Sequence, residues 1–245
     1  MVSEFPNIIV VLVEPETPGN VGFTSRVLAN FGVSKLRIVG VDPRYDDEAQ
    51  IFAVNAKDVL ESAQIYETLD AALEDIHEAW AATARIGKNH NVTRAAVPLP
   101  DIPNPKTLDA NVALVFGRES NGLTNDEVSL CDLIFTIPAS EEYNSLNLSH
   151  AVAVTLYHLF ENYAEEEPPE PSDARPATRQ QREIVNRFFE KAIDCVDIQD
   201  YRRPIAKQVF RNLLGRAYMT GREVATLTGI IRKFKELACD SEPED

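Results

Sequence analysis

Cysteine is scarce in this chain: three in 245 residues, Cys131, Cys195 and Cys239, with no CxxC pair. That spacing gives no zinc site and argues against a disulfide framework, as in a cytosolic protein. The cysteines read as small buried apolar residues or, for Cys239, as a thiol in the tail. There is no run of 18 or more apolar residues, so no membrane span is expected. The opening MVSEFPN has no basic stretch before its first apolar run, so no secretory signal is expected and the chain reads as cytoplasmic. The four histidines, His77, His90, His150 and His158, have no acidic or cysteine partner at metal-ligand spacing, so no metal is expected. G-x-G is absent, which excludes the dinucleotide fingerprint. Gly117 and Gly122 have P-loop spacing, but Leu123 stands where the lysine must be. No G-x-S-x-G elbow occurs.

Basic charge is also scarce, with 24 Lys and Arg against 39 Asp and Glu and a net charge of −15. Taken alone, that discourages a nucleic-acid partner. The distribution reverses the inference. Residues 177–238 hold 13 of the basic residues against 7 acidic ones. A basic module is thus attached to an acidic body.

What is present is a repeated local form. Residues 7–14 are a nearly continuous apolar run, as in a buried parallel strand, followed by a polar loop and a helix pattern. Residues 112–116 run into Gly117–Thr124 and a second helix. Residues 134–137 run into a loop ending Tyr143-Asn-Ser-Leu-Asn-Leu-Ser149, and apolar residues then recur at helical spacing to Tyr163. Three strand–loop–helix units suit a ligand site at the carboxyl ends of a parallel sheet. Between them, residues 35–41, 65–66 and 79–84 read as strands, and 21–31, 49–59 and 69–76 as helices. Residues 97–105 hold four prolines and read as extended. Thr124 with Glu127 and Thr220 with Glu223 read as capping boxes.

The expected domains are a body at 1–163, an acidic proline-rich linker at 164–176, a basic three-helix module at 177–238 with many arginines on its outer faces, and an acidic tail at 239–245. The linker composition, AEEEPPEPSDARP, cannot bury a core.

Three motifs carry a resemblance. They are Pro18-Gly-Asn-Val-Gly22 with Arg26 and Asn30-Phe-Gly32; Leu114-Val-Phe-Gly-Arg-Glu119 with Gly122-Leu-Thr124; and Ile137-Pro138 with Ser145-Leu-Asn-Leu-Ser149. In this order they resemble the SpoU branch of the SPOUT RNA 2′-O-ribose methyltransferases, over about two-thirds of the chain. Ala82-Thr-Ala-Arg85 and the C-terminal module resemble the TrmJ-like members, which methylate tRNA at nucleotide 32 of the anticodon loop. The resemblance implies an α/β fold with a parallel sheet and a C-terminal trefoil knot, an exception to the rule against threaded chains. It implies S-adenosyl-L-methionine as cofactor, tRNA as substrate and a homodimer. It also implies site roles. Thr83, Ala84, Gly117, Glu119, Ile137, Pro138, Leu146 and Asn147 would bind cofactor. Arg26, Asn20 and Ser145 would be catalytic. Arg26, Arg85, Lys88 and Arg118 would contact RNA.

Each role has a plainer rival. Ile137, Pro138 and Leu146 would serve as core, and Ser145 and Asn147 as helix caps. Glu119 would be a solvated acid and Arg26 part of a surface ion pair. Rival functions on the same fold are ribosomal RNA methylation and RNA binding without catalysis.

Overall fold

The computed structural model describes residues 5–84, 96–108, 110–165 and 175–240. Arg85 and Lys88 lie outside them.

A seven-stranded sheet in the order β3-β2-β1-β6-β4-β7-β5 forms the centre, and every pairing is parallel. The strands are β1 Ile8–Val13, β2 Lys35–Val39, β3 Gln64–Tyr66, β4 Glu78–Ala82, β5 Val97–Pro98, β6 Val112–Phe116 and β7 Leu133–Thr136. All six residues of β1 are buried. Ile8, Val10 and Leu12 face one layer; Ile9, Val11 and Val13 face the other. This is why the run is apolar throughout: a parallel strand with both faces covered has no polar side. The first layer holds helices α1 (Pro18–Asn30), α2 (Asp47–Ala53), α3 (Lys57–Glu61) and α6 (Leu148–Tyr163). The second holds α4 (Leu69–Ala72) and α5 (Asn125–Ser129). The expected α/β class with a parallel sheet is therefore correct.

Local departures have physical causes. Pro18 opens α1, so the Pro18–Gly22 motif is the first helical turn rather than a loop. The helix expected over 49–59 breaks into α2 and α3 at Val54, whose φ of 53° no helix accommodates. The helix expected over 69–76 is only one turn long. Both expected capping boxes are present. A third, Thr178 with Gln181, opens α7.

The C-terminal helices are α7 (Arg179–Cys195), α8 (Arg202–Arg216) and α9 (Gly221–Asp240), with a small core around Val185, Leu214, Val224 and Ile231. The expectation against disulfides is overturned here, because Cys195 and Cys239 are bonded. Helices α7 and α9 run side by side in the same direction. Gly221 N–H donates to Arg175 O near their starts, and the cysteines meet at their ends. A separation of 44 residues in sequence conceals that contact. Cys131 is buried and free, as expected.

The module is attached at the amino ends of β4 and β7, opposite the motif loops. Arg182 of α7 is 4% exposed and pairs with Glu78 at 2.8 Å and Asp132 at 2.9 Å. Arg179 and Arg211 donate to Leu130 O and Ser129 O. Three of the module's arginines therefore face the body rather than solvent. A guanidinium is weakly hydrated and forks onto carboxylates and carbonyls, which suits it to a buried seam.

Candidate functional site

The carboxyl ends of β4, β6 and β7 enclose a cavity of about 750 Å³. That volume is suited to a small-molecule ligand. Ala82, Thr83 and Ala84 line it from β4; Phe116, Gly117, Glu119 and Ser120 from β6; Ile137, Ser145, Leu146 and Ala151 from β7 and α6. A side chain on Gly117 would run into the Gly122–Leu123 peptide, so glycine is required where this loop folds back on itself. Asn144 Nδ2 donates to Ala84 O at 3.2 Å and ties two walls together.

Six of the expected cofactor residues thus line one cavity: Thr83, Ala84, Gly117, Glu119, Ile137 and Leu146. Pro138 and Asn147 are not in its wall. Asn147 is the N-cap of α6, its Oδ1 accepting from Ser149 N and His150 N. Ser145, weighed above as a cap or a site residue, lines the cavity and does not cap the helix.

Glu119 reaches the wall, but its carboxylate turns toward the β1–α1 loop. It accepts from Glu16 N at 2.8 Å, Thr17 N at 3.2 Å and Asn20 Nδ2 at 2.7 Å. Partial burial works against its charge. The Asn20 amide and the two backbone N–H groups outweigh that and hold its pKa below the usual glutamate value. Asn20 Oδ1 in turn accepts from Asn147 Nδ2 at 3.0 Å. Both ends of the Asn20 amide are therefore occupied by protein. One polar relay runs from the α6 cap through Asn147, Asn20 and Glu119 to the β1–α1 loop, joining all three motifs.

Arg118 is placed differently from Arg26. It pairs with Glu14 at 2.8 Å and Glu127 at 3.0 Å, and the Glu127 hydrogen bonds raise its pKa further. Its charge joins loops within the chain. Arg26 is exposed on α1, and no hydrogen bond or ion pair joins its guanidinium to any of the described residues. It lies six positions after Asn20, about 9 Å along the helix. Glu16 and Ser120, which the sequence did not single out, belong to the same region. Their neighbours in the motifs were the only signal.

The comparisons agree with this geometry. Residues 7–157 match the SpoU rRNA Methylase family. The chain is 37% identical over 223 residues to the tRNA (cytidine-2′-O-)-methyltransferase TrmJ of Methanocaldococcus jannaschii, covering 90% of this chain and 96% of the relative. It is 30% identical to the tRNA (cytidine/uridine-2′-O-)-methyltransferase TrmJ of Pectobacterium atrosepticum, covering 92% of this chain and 94% of the relative. Among solved structures, TrmJ from Z. mobilis ZM4 superposes with a TM-score of 0.70 at 26% identity, covering 93% of this chain and 98% of that one. With three motifs joined by one polar relay beside the cavity and a family match over most of the body, the chain belongs to the SpoU methylase family, alongside the TrmJ proteins.

Proposed function

We propose that this protein is a tRNA 2′-O-methyltransferase that uses S-adenosyl-L-methionine and acts on nucleotide 32 of the anticodon loop. The observation that carries the reading is that the second and third motifs line one cavity and the first is tied to them through Asn20, on the helix that carries Arg26. The target position rests on the TrmJ resemblance.

The cavity fits the cofactor. Phe116, Ile137, Leu146 and Ala151 offer apolar walls for an adenine, and Gly117 keeps the loop backbone close to the ligand. Thr83, Ala84, Ser145 and the Gly117–Leu123 backbone would hold its polar groups. When bound, the cofactor supplies a methyl group on a sulfonium. What the chain must add is placement of the ribose 2′-OH and stabilisation of its developing negative charge. Arg26 suits that role: it remains protonated at all ordinary pH, and its donors are available for a phosphate and the nascent alkoxide. The Asn20 amide is engaged by Glu119 and Asn147, so Asn20 would act by holding the three motifs together rather than by touching the ribose.

The homodimer and the trefoil knot belong to the same proposal. Helices α1 and α6 pack together through Phe31, Tyr157 and Phe160. Phe23 on α1 and Val154 and Tyr157 on α6 are exposed, and these apolar side chains would be available for burial against a second copy. The module would bind tRNA through cations that no described carboxylate pairs, among them Arg187, Arg222, Arg232 and Lys235.

The test is to incubate the protein with methyl-labelled cofactor and unmodified tRNA or ribosomal RNA, then map the labelled ribose. Label at nucleotide 32 of tRNA is the expected result. Label confined to ribosomal RNA, or none, would overturn it.

A further inference from the structure

The β1–α1 and β6–α5 loops hold each other with two carboxylates that cross in opposite directions. Glu119 of the second loop accepts the backbone N–H groups of Glu16 and Thr17 and the Asn20 amide. Glu16 of the first loop accepts Ser120 N–H at 3.0 Å and Ser120 Oγ–H at 2.5 Å. Glu16 therefore uses its main chain to hold one loop and its side chain to be held by it. The Arg118–Glu14 pair at 2.8 Å crosses between the same strand ends.

These contacts join two different surfaces. Ser120 and Glu119 line the cavity. Thr17 is the N-cap of α1, the helix that carries Asn20 and Arg26. A ligand that orders the Gly117–Leu123 loop also fixes Ser120. Through Glu16 it then fixes the start of α1. The ordering cost is incurred by whichever ligand arrives first, and the second ligand binds to a loop already set. Each must strengthen the other by the same factor.

Glu16 is exposed, and an exposed contact of this kind contributes little to global stability. Its position between the two loops gives it a different use. We propose that Glu16 is a positioning residue for methyl transfer: its clasp on Ser120 couples cofactor binding in the cavity to RNA binding through Arg26. The proposal rests on the RNA methyltransferase reading above.

The experiment measures the dissociation constant of an unmodified tRNA transcript for the full chain, with and without saturating S-adenosylhomocysteine. The proteins are the wild type, Glu16→Ala, Glu16→Gln and Ser120→Ala. In the wild type, the cofactor product should tighten tRNA binding about fivefold or more, the lower end of typical coupling. In Glu16→Ala the ratio should fall toward one, with tRNA affinity in the absence of cofactor and the melting temperature unchanged. Glu16→Gln keeps an acceptor for Ser120 N–H and should recover part of the coupling. Ser120→Ala loses only the hydroxyl contact and should fall between. If Glu16→Ala does not fold, the other two variants carry the test. A wild type that binds both ligands with a ratio near one, or variants with the wild-type ratio, would overturn the clasp and leave the function standing. A wild type that binds neither ligand would overturn both.

Discussion

Arg26 and Arg118 show how much the surroundings of one residue type decide. Arg118 is held by Glu14 and Glu127, whereas Arg26 meets no described partner. Arg26→Ala should therefore lower kcat by about 10²–10³-fold, as loss of a transition-state charge partner does. Cofactor affinity and melting temperature should be unaffected. Near wild-type turnover would remove Arg26 from the mechanism. Glu78 yields a second prediction at this scale. Burial and the neighbouring Asp132 raise its pKa to about 9, with Arg182 only partly offsetting them. It therefore binds its proton more tightly folded than unfolded, where a glutamate titrates near ~4.3. The stability it contributes is complete below that value and is lost as pH rises toward 9. Between pH 5 and 9 the wild type should lose more melting temperature than Glu78→Gln, as followed by circular dichroism. Parallel losses would show that Arg182 keeps Glu78 ionised throughout.

Two neighbouring polar residues before α6, Ser145 and Asn147, serve different ends. Asn147 caps the helix and holds Asn20; Ser145, two positions earlier, lines the cavity. Asn147→Ala should cost about 1 kcal/mol through the lost cap. In a chain of this size that is about 2–4 °C of melting temperature. Ser145→Ala should leave melting unchanged and weaken cofactor binding in calorimetry. The reverse pattern would exchange the two roles. The sequence identified this helix start and its cluster of Ser and Asn, but both residue types cap helices and bind ligands equally well. Only the direction of each side chain separates them.

At the scale of the molecule, the basic module is less available to RNA than its composition indicates. Arg179, Arg182, Arg203, Lys207, Arg211 and Lys233 are each paired with a carboxylate. Removing residues after 165 should raise the tRNA dissociation constant and flatten its salt dependence, because phosphate contacts release counterions. The change in slope should be smaller than 13 cations would produce. Charge reversal of Arg232 and Lys235 to Glu should reproduce part of that loss, lowering the slope by about one to two. Equal affinities and slopes for the truncated and full chains would remove tRNA docking from the module.

The sequence by itself determined the elements that a local rule governs. The apolar run of β1 follows from burial of both faces, the Thr124–Glu127 box from unpaired N–H groups, and the three motif loops from strand–loop–helix order. The family resemblance and the α/β class followed from those loops, because their residues are contiguous. Tertiary structure alone decided the partners of charged and sulfur-bearing side chains. It buried Arg182 between Glu78 and Asp132, joined Cys195 to Cys239, and turned Glu119 from the cavity toward Asn20. Periodicity records which face of an element is apolar. It carries no record of which distant residue a long polar side chain will meet, since that depends on how the elements are packed.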